Sequence, residues 1–242
     1  MPAMARAELE SLLRIKKLDH TLARMEALDP LNGAVDGRWL VPTDIVSLDE
    51  RLQGGFPRGQ MSEVVGSRSS GRLAVMVSTL AGATRRGEAV AYIDPLDMFD
   101  PLSAAASGID FSRLLWVRGA ATSSARVSLS CEYGTLQKSV DRAVKSLNLI
   151  LQAGGFGLVV LDLAEIPVPV LRRLPFTTWL RLHRVIEGSD TVCALIGGEP
   201  ISRSAGGVTV QLDGPEPVSA RVIRARAAET SNVCVPLSAA AC

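Results

Sequence analysis

The stretch VVGSRSSGRLAV, residues 64–75, constrains the fold of this chain more than any other. Two apolar residues close a strand, Gly66 follows, four variable residues intervene, and Gly71 opens a helix. A phosphate-binding loop has this outline, G-x-x-x-x-G-K-[ST], with backbone N–H groups at a helix N-terminus cradling an anion. A strand-loop-helix turn of this outline is one unit of an α/β fold, in which strands and helices alternate. Gly66, Ser69, Ser70 and Gly71 keep the form of the loop. Arg72 stands in the lysine slot and Leu73 in the hydroxyl slot, which makes the motif a degenerate one.

The rest of the chain repeats the strand, loop, helix order. The spacing predicts strands over 60–65, 88–93, 114–117, 157–163 and 191–196, with a terminal pair over 207–212 and 220–225. Helices are predicted over 73–86, closed by Gly87, over 137–153, stopped by Gly154 and Gly155, and over 177–187. GLVVLDL, residues 157–163, is a continuous apolar run of the kind buried on both faces of a sheet. Alternation of this sort implies a mostly parallel sheet with helices on both faces. Residues 119–134 are small and polar and read as a mobile loop. A helix over 5–28 precedes a turn-rich linker, DPLNGAVDG. Three parts follow: an N-terminal helix and linker over 1–38, a core over 39–214, and a C-terminal strand and loose tail over 215–242.

Composition excludes several classes. At 242 residues with 47% hydrophobic and 21% charged residues, the chain can bury a sizeable core. Arginine outnumbers lysine 22 to 4, but a net charge of +1 neither demands nor excludes a nucleic-acid partner. Cys131, Cys193, Cys234 and Cys242 are scattered, and with only His20 and His183 to assist they form no metal-binding spacing. The opening MPAMARAELE is charged where a signal peptide needs an apolar run, and no stretch approaches a membrane span, so a cytoplasmic setting is expected.

Several segments together resemble the RecA-type recombinase core. VPTDIVSLDERLQGGFPRGQMSEVVG is similar to that family's run into its phosphate loop, including Ser47, Leu48, Asp49, Gly54, Gly55, Pro57 and Gly59. AYIDPLDMFDP resembles the second-strand segment, with Asp94, Asp100 and Pro101, and SGIDFSRLLWVR the approach to the third strand. GLVVLDL resembles the Walker B strand, with Asp162 at its acidic end. Within the superfamily, RIKKLDHTL, QAGGFGLVVLDL, TTWLRLHRVIEGSDT and RSAGGVTVQL resemble the ImuA type. That resemblance implies a RecA-like P-loop core and a role in SOS mutagenesis and translesion synthesis in the nucleoid. It also implies partners: the RecA recombinase, a Y-family polymerase-like protein of the ImuB type, or an error-prone replicative-type polymerase.

The resemblance further implies which groups an ATPase of this family needs. The lysine slot holds Arg72, whose planar fork does not replace a compact ammonium. Leu73 has no oxygen for magnesium, which demands octahedral oxygen coordination. The glutamate that orients the attacking water has Leu96 in its place, with Asp97 one residue on and differently aimed. Asp162 remains but lacks its partner in holding the metal. No hydrolysis and no cofactor are expected, although Arg68, Arg72 and the helix N-terminus leave weak ATP or ADP binding open. Arg72→Ala is expected to leave function largely intact.

The family's two DNA-binding loops correspond here to residues 163–178, with Arg172 and Arg173, and to the short segment 197–207, with Arg203. Arg181 and Arg184 follow on the next helix. These arginines either contact DNA or a partner weakly or form a solvated face. The combined reading is an accessory or regulatory RecA-like protein of damage-induced mutagenesis that acts through protein contacts. Two alternatives stay open: a single-stranded-DNA-stimulated ATPase or recombinase paralogue, and an ATP-binding sensor without hydrolysis.

Overall fold

The computed structural model describes residues 39–119, 129–202, 207–214, 218–224 and 235–237. The chain divides into two compact units, Met1–Trp39 and Leu40–Cys242. The expected N-terminal helix and linker lie outside the described residues, so the fold below is that of the second unit.

Strands β1 (Leu40–Val41) and β2 (Phe56–Pro57) form a small antiparallel pair around helix α1 (Val46–Arg51). The Asp49 carboxylate accepts from the Thr43 N–H and hydroxyl, each at 2.7 Å, which ties the helix to its entry. Gly55 has φ +130°, and a Cβ there would collide with the Val41 backbone. The Ser47–Asp49 element and the Gly54–Gly55 pair thus have local structural work in shaping this corner.

The main sheet follows: β3 (Met61–Gly66), α2 (Arg72–Arg85), β4 (Val90–Asp94), α3 (Pro101–Ala106), β5 (Leu114–Arg118), α4 (Leu129–Ala153), β6 (Leu158–Asp162), α5 (Val168–Leu171), α6 (Phe176–Ile186) and β7 (Val192–Gly197). Three further strands, β8 (Thr209–Asp213), β9 (Val218–Arg224) and β10 (Val235–Leu237), complete it. The eight strands run in the order β10-β9-β8-β3-β7-β6-β4-β5. From β8 to β5 every pairing is parallel, while β9 and β10 are antiparallel. The expected α/β architecture with a mostly parallel sheet is therefore the observed one.

The period of two along each strand sorts the core into two layers. Val64, Tyr92, Val160, Ala194 and Val210 face one way, onto Val75, Met76 and Leu80 of α2. Met61, Ile93, Leu161 and Leu195 face the other way, onto Val140, Val144 and Leu147 of α4 and Trp179 and Leu182 of α6. Leu158 to Leu161 are fully buried, as a doubly covered strand requires. Helix α2 ends at Gly87, whose φ of +87° and bond to the Thr84 carbonyl at 2.9 Å make the expected stop.

One expectation is corrected here. Helix α4 begins at Leu129, inside the segment 119–134 that reads as a loop. Polar, small residues carry no apolar period, yet once a helix is nucleated by its packed part each further residue adds a backbone bond. Residues 120–128 lie outside the described residues, as do Arg203 and residues 225–234 and 238–242. Among the described residues no helix is long and apolar enough to cross a membrane.

Candidate functional site

The loop between β3 and α2 lies at the C-terminal edge of the parallel strands, where open α/β sheets bind their ligands. Two left-handed residues turn the chain there: Ser69 at φ +61° and Gly71 at φ +86°. Gly71 is also the N-cap of α2 and supplies no side-chain cap. Gly66 cannot carry a side chain, because a Cβ would strike Ser70 Oγ and lie 2.6 Å from the Leu212 carbonyl. Ser70 is fully buried against it, and Gly214, just past β8, approaches Ser70 so closely that a Cβ there would lie 3.0 Å from its Cα.

Arg72 opens α2 and turns inward rather than toward a ligand. Its side chain is buried, and the guanidinium donates to the Gly66 carbonyl at 2.6 Å and the Gly197 carbonyl at 3.3 Å. The other terminal nitrogen donates to the Ala164 carbonyl at 3.0 Å and to Glu165 Oε1 at 2.8 Å. One side chain thereby fastens the loop and the C-terminal ends of β3, β6 and β7 to one another. A planar five-donor fork can satisfy several acceptors in one plane; an ammonium of lysine length cannot. The expectation for Arg72→Ala is revised accordingly: the residue is built into the fold. Arg68 stays exposed, with its Nε 4.0 Å from Glu165 Oε2.

Leu73, in the hydroxyl slot, is partly exposed and offers only carbon. Asp162, at the end of β6, is already engaged: the Tyr92 hydroxyl donates to Oδ2 at 2.5 Å and the Ala164 N–H to Oδ1 at 2.9 Å. Burial pushes its carboxyl above the ordinary range; the bonds from Tyr92 and Ala164 oppose this, Asp94 adds to it, and the charge of Arg72 opposes it. Burial, then Asp162, also raises the Tyr92 phenol well above its usual value. Asp94 accepts from the Met98 and Phe99 N–H groups at 3.0 and 2.8 Å.

Leu96 packs against the second core layer, so the position matched to the catalytic glutamate is a hydrophobic contact. Asp97 has φ +58° and turns to Arg118, with bonds of 2.7 and 2.8 Å to Nε and a terminal nitrogen. Arg118 in turn lies 4.4 Å above the Trp116 ring. This fork holds the Asp97 carboxyl below its usual range. The donors present around the loop do not match the oxygen coordination that a magnesium-bound triphosphate requires.

The arginines separate into groups. Arg172 donates to Glu199 Oε1 at 3.0 Å. Arg173 is exposed at the start of the turn between α5 and α6, and Arg181 and Arg184 are exposed on α6. On the segment after β7, the Ile201 and Ser202 N–H groups donate to the buried Glu63 at 2.8 and 2.9 Å. The Thr209 hydroxyl reaches the other oxygen of Glu63 at 3.3 Å. A cleft of about 360 Å³ lies beside the loop between the ends of β7 and β8, bordered by Ser67, Glu199, Gln211 and Asp213. Cys193 is fully buried, and burial, with Glu63 second, lifts its thiol to about 12, which makes it inert. Among the described residues no cluster of metal-ligating side chains occurs.

Sequence reasoning brought Gly66, Ser70, Gly71, Arg72 and Asp162 to one edge of the sheet, where they lie. It missed Glu165, Tyr92 and Glu63. Glu165 had a signal, a carboxylate three residues beyond Asp162 and opposite an anomalous arginine; Tyr92 and Glu63 had none, because their partners are distant in sequence.

Strand order and loop together define a mostly parallel α/β core with a glycine-bearing turn at the C-terminal edge of its strands. Residues 34–126 match the RecA N-terminal domain family. Protein RecA of Picosynechococcus sp. is 37% identical over 75 residues, covering 31% of this chain and 22% of that protein. RecA of Fusobacterium nucleatum is 29% identical over 130 residues, covering 53% and 30%. RecA of Nocardioides sp. is 30% identical over 131 residues, covering 54% and 32%. The chain thus spans about a fifth to a third of the length of these curated relatives. The crystal structure of the RadB recombinase shares the fold, with a TM-score of 0.54 and 18% identity over 79% of this chain and 92% of that one. Residues 34–126 are thus similar to the RecA N-terminal domain, and the RadB likeness is one of fold.

Proposed function

We propose that this chain is a RecA-like accessory protein of damage-induced mutagenesis that works by binding partners and does not turn over ATP. One observation carries the non-hydrolytic half of the reading: the Arg72 guanidinium is spent on Gly66, Gly197, Ala164 and Glu165. Phosphoryl transfer is catalysed by positioning and electrostatics, so a fork turned inward, an apolar Leu73 and a packed Leu96 weaken every contribution at once. A fold kept without its reaction is kept for its surfaces, an argument from analogy. The setting in translesion synthesis rests on the resemblance of RIKKLDHTL, TTWLRLHRVIEGSDT and RSAGGVTVQL to the ImuA type. The partners it implies are the recombinase, a Y-family polymerase-like protein and an error-prone replicative-type polymerase.

The test combines titration with ATP, with and without Mg²⁺, with an ATPase assay on the full chain with and without single-stranded DNA. No turnover above background is expected. DNA-stimulated turnover would replace this reading with that of an ATPase, and tight ATP binding without turnover with that of a sensor. The partner half is tested by co-purification with the recombinase and the polymerase-like protein. Retention of neither, with normal damage-induced mutation in a deletion strain, would overturn it.

A further inference from the structure

Helix α6 is amphipathic, with Trp179, Leu182 and Ile186 buried against the second core layer. Its outward face is not purely polar. Phe176 is 47% exposed and Leu180 43%, and their i, i+4 spacing puts them side by side. Arg184 continues the same line one turn further, and Thr177 and Arg181 flank it, all exposed. Neither Arg181 nor Arg184 forms an ion pair with another described residue. Arg184 lies in the last turn, where a cation also complements the helix dipole. That reason does not extend to Arg181, nor to two exposed large apolar side chains. Elsewhere, exposed Met98 and Phe111 lie beside acidic residues already matched internally, Asp97 to Arg118 and Asp110 to Arg113. On α6 the charge beside the apolar pair has no such match.

We propose that the outer face of α6 docks an acidic peptide segment bearing apolar anchors: Phe176 and Leu180 cover the anchors, and Arg181 and Arg184 pair with carboxylates. The inference rests on the reading that this chain acts by contact, and gives one such contact its chemistry. The face suits a peptide better than a nucleic acid. A single-strand track needs a run of cations with interleaved aromatic rings. Here the centre of the patch is aliphatic, one aromatic ring is present, and only two unmatched cations face outward, too few to hold a phosphate backbone at physiological salt. Apolar side chains at i, i+4 are the usual contact of a helix-recognition surface.

The experiment is fluorescence anisotropy on the full chain with three labelled probes. These are a Glu- and Asp-rich peptide of about 12 residues with Leu and Phe at i, i+4, the same peptide with Ser at both apolar positions, and a dT oligonucleotide of about 15 nucleotides. The apolar peptide is expected to bind at least about tenfold more tightly than the Ser peptide. Two double variants, F176A/L180A and R181E/R184E, are each expected to weaken it about tenfold or more. The F176A/L180A midpoint should stay near wild type, since both side chains are exposed, and that of R181E/R184E should fall by a few degrees at most through the reversed charge at the helix C-terminus. Equal affinity for both peptides, or no loss in either variant, would overturn the proposal. So would tighter binding of dT that R181E/R184E abolishes, which would assign the face to nucleic acid. Absence of peptide binding in a protein that also fails to hydrolyse ATP would remove this docking site and leave the non-hydrolytic reading standing. ATP turnover with peptide binding intact would do the reverse.

Discussion

The guanidinium of Arg72 meets the carboxylate of Glu165 at 2.8 Å, and between them they close the edge of the sheet beside the loop that joins β3 to α2. Arg72 is the first residue of α2 and Glu165 lies just beyond β6, so the pair joins elements that are distant in sequence. Three backbone carbonyls share the same fork. The side chain at position 72 thus holds strand ends together.

Removing that fork is expected to destabilise the core. Arg72→Ala leaves the Gly66, Gly197 and Ala164 carbonyls and the Glu165 carboxylate without their donor, a loss of about 2–4 kcal/mol. Arg72→Lys restores one charge but cannot span the same acceptors, and should recover less than half of the loss. Urea denaturation of the three proteins checks the order; an Arg72→Ala protein as stable as wild type would contradict it.

Glu63 plays a comparable part on the next strand pair. Buried on β3, it accepts from Ile201, Ser202 and Thr209, so it holds the segment after β7 against the sheet. Glu63→Ala should cost about 2–4 kcal/mol and open the 198–202 segment to proteases. Glu63→Gln, which keeps an acceptor oxygen for the two N–H groups, should cost less. Thermal melts and limited proteolysis read both effects.

Two aspartates should give opposite pH signatures. Asp162 is pushed above the ordinary 3.8 by burial, so the fold favours its protonated form. Its ionised form therefore costs stability at neutral pH, and the cost is relieved as pH falls through the raised value toward 3.8. Asp97 is pulled below 3.8 by Arg118, so its contribution is present above 3.8 and is lost as pH falls through the lowered value. Compared with Asp162→Asn, wild type should gain stability as pH falls from neutral toward 3.8. Compared with Asp97→Asn, it should hold its advantage to about pH 4 and lose it below. Denaturant midpoints across that range provide the measurement.

Leu73→Thr returns an oxygen to the hydroxyl slot without touching the Arg72 fork or the Tyr92–Asp162 bond. No magnesium-dependent ATPase is expected from it. The thermal midpoint with ATP and Mg²⁺ should also stay within about 1 °C of that without, because a ligand stabilises only as far as it binds. A clear magnesium-dependent rise would mean that one missing hydroxyl was the whole obstacle.

Much of the fold is legible in the residues because it is periodic. The doubly apolar run at 157–163 and the glycine at 87 mark β6 and the end of α2 within a residue or two. Helix α4 was only half legible: its packed part shows a helical period, while residues 129–136 show none and are carried as helix by propagation. Strands β1, β2 and β10 are two or three residues long, too short for a period to register.

At the loop, the sequence by itself determined which groups are present: two glycines in place, an arginine for the lysine, a leucine for the hydroxyl and a leucine at 96. Where those groups point was decided only by the tertiary structure. Arg72 has equal reach outward to an anion or inward to carbonyls. Packing of β6 and β7 beside β3 brought three carbonyls and Glu165 within its span. A buried guanidinium must satisfy its donors nearby, and the acceptors that do so come from three strands no local pattern could join.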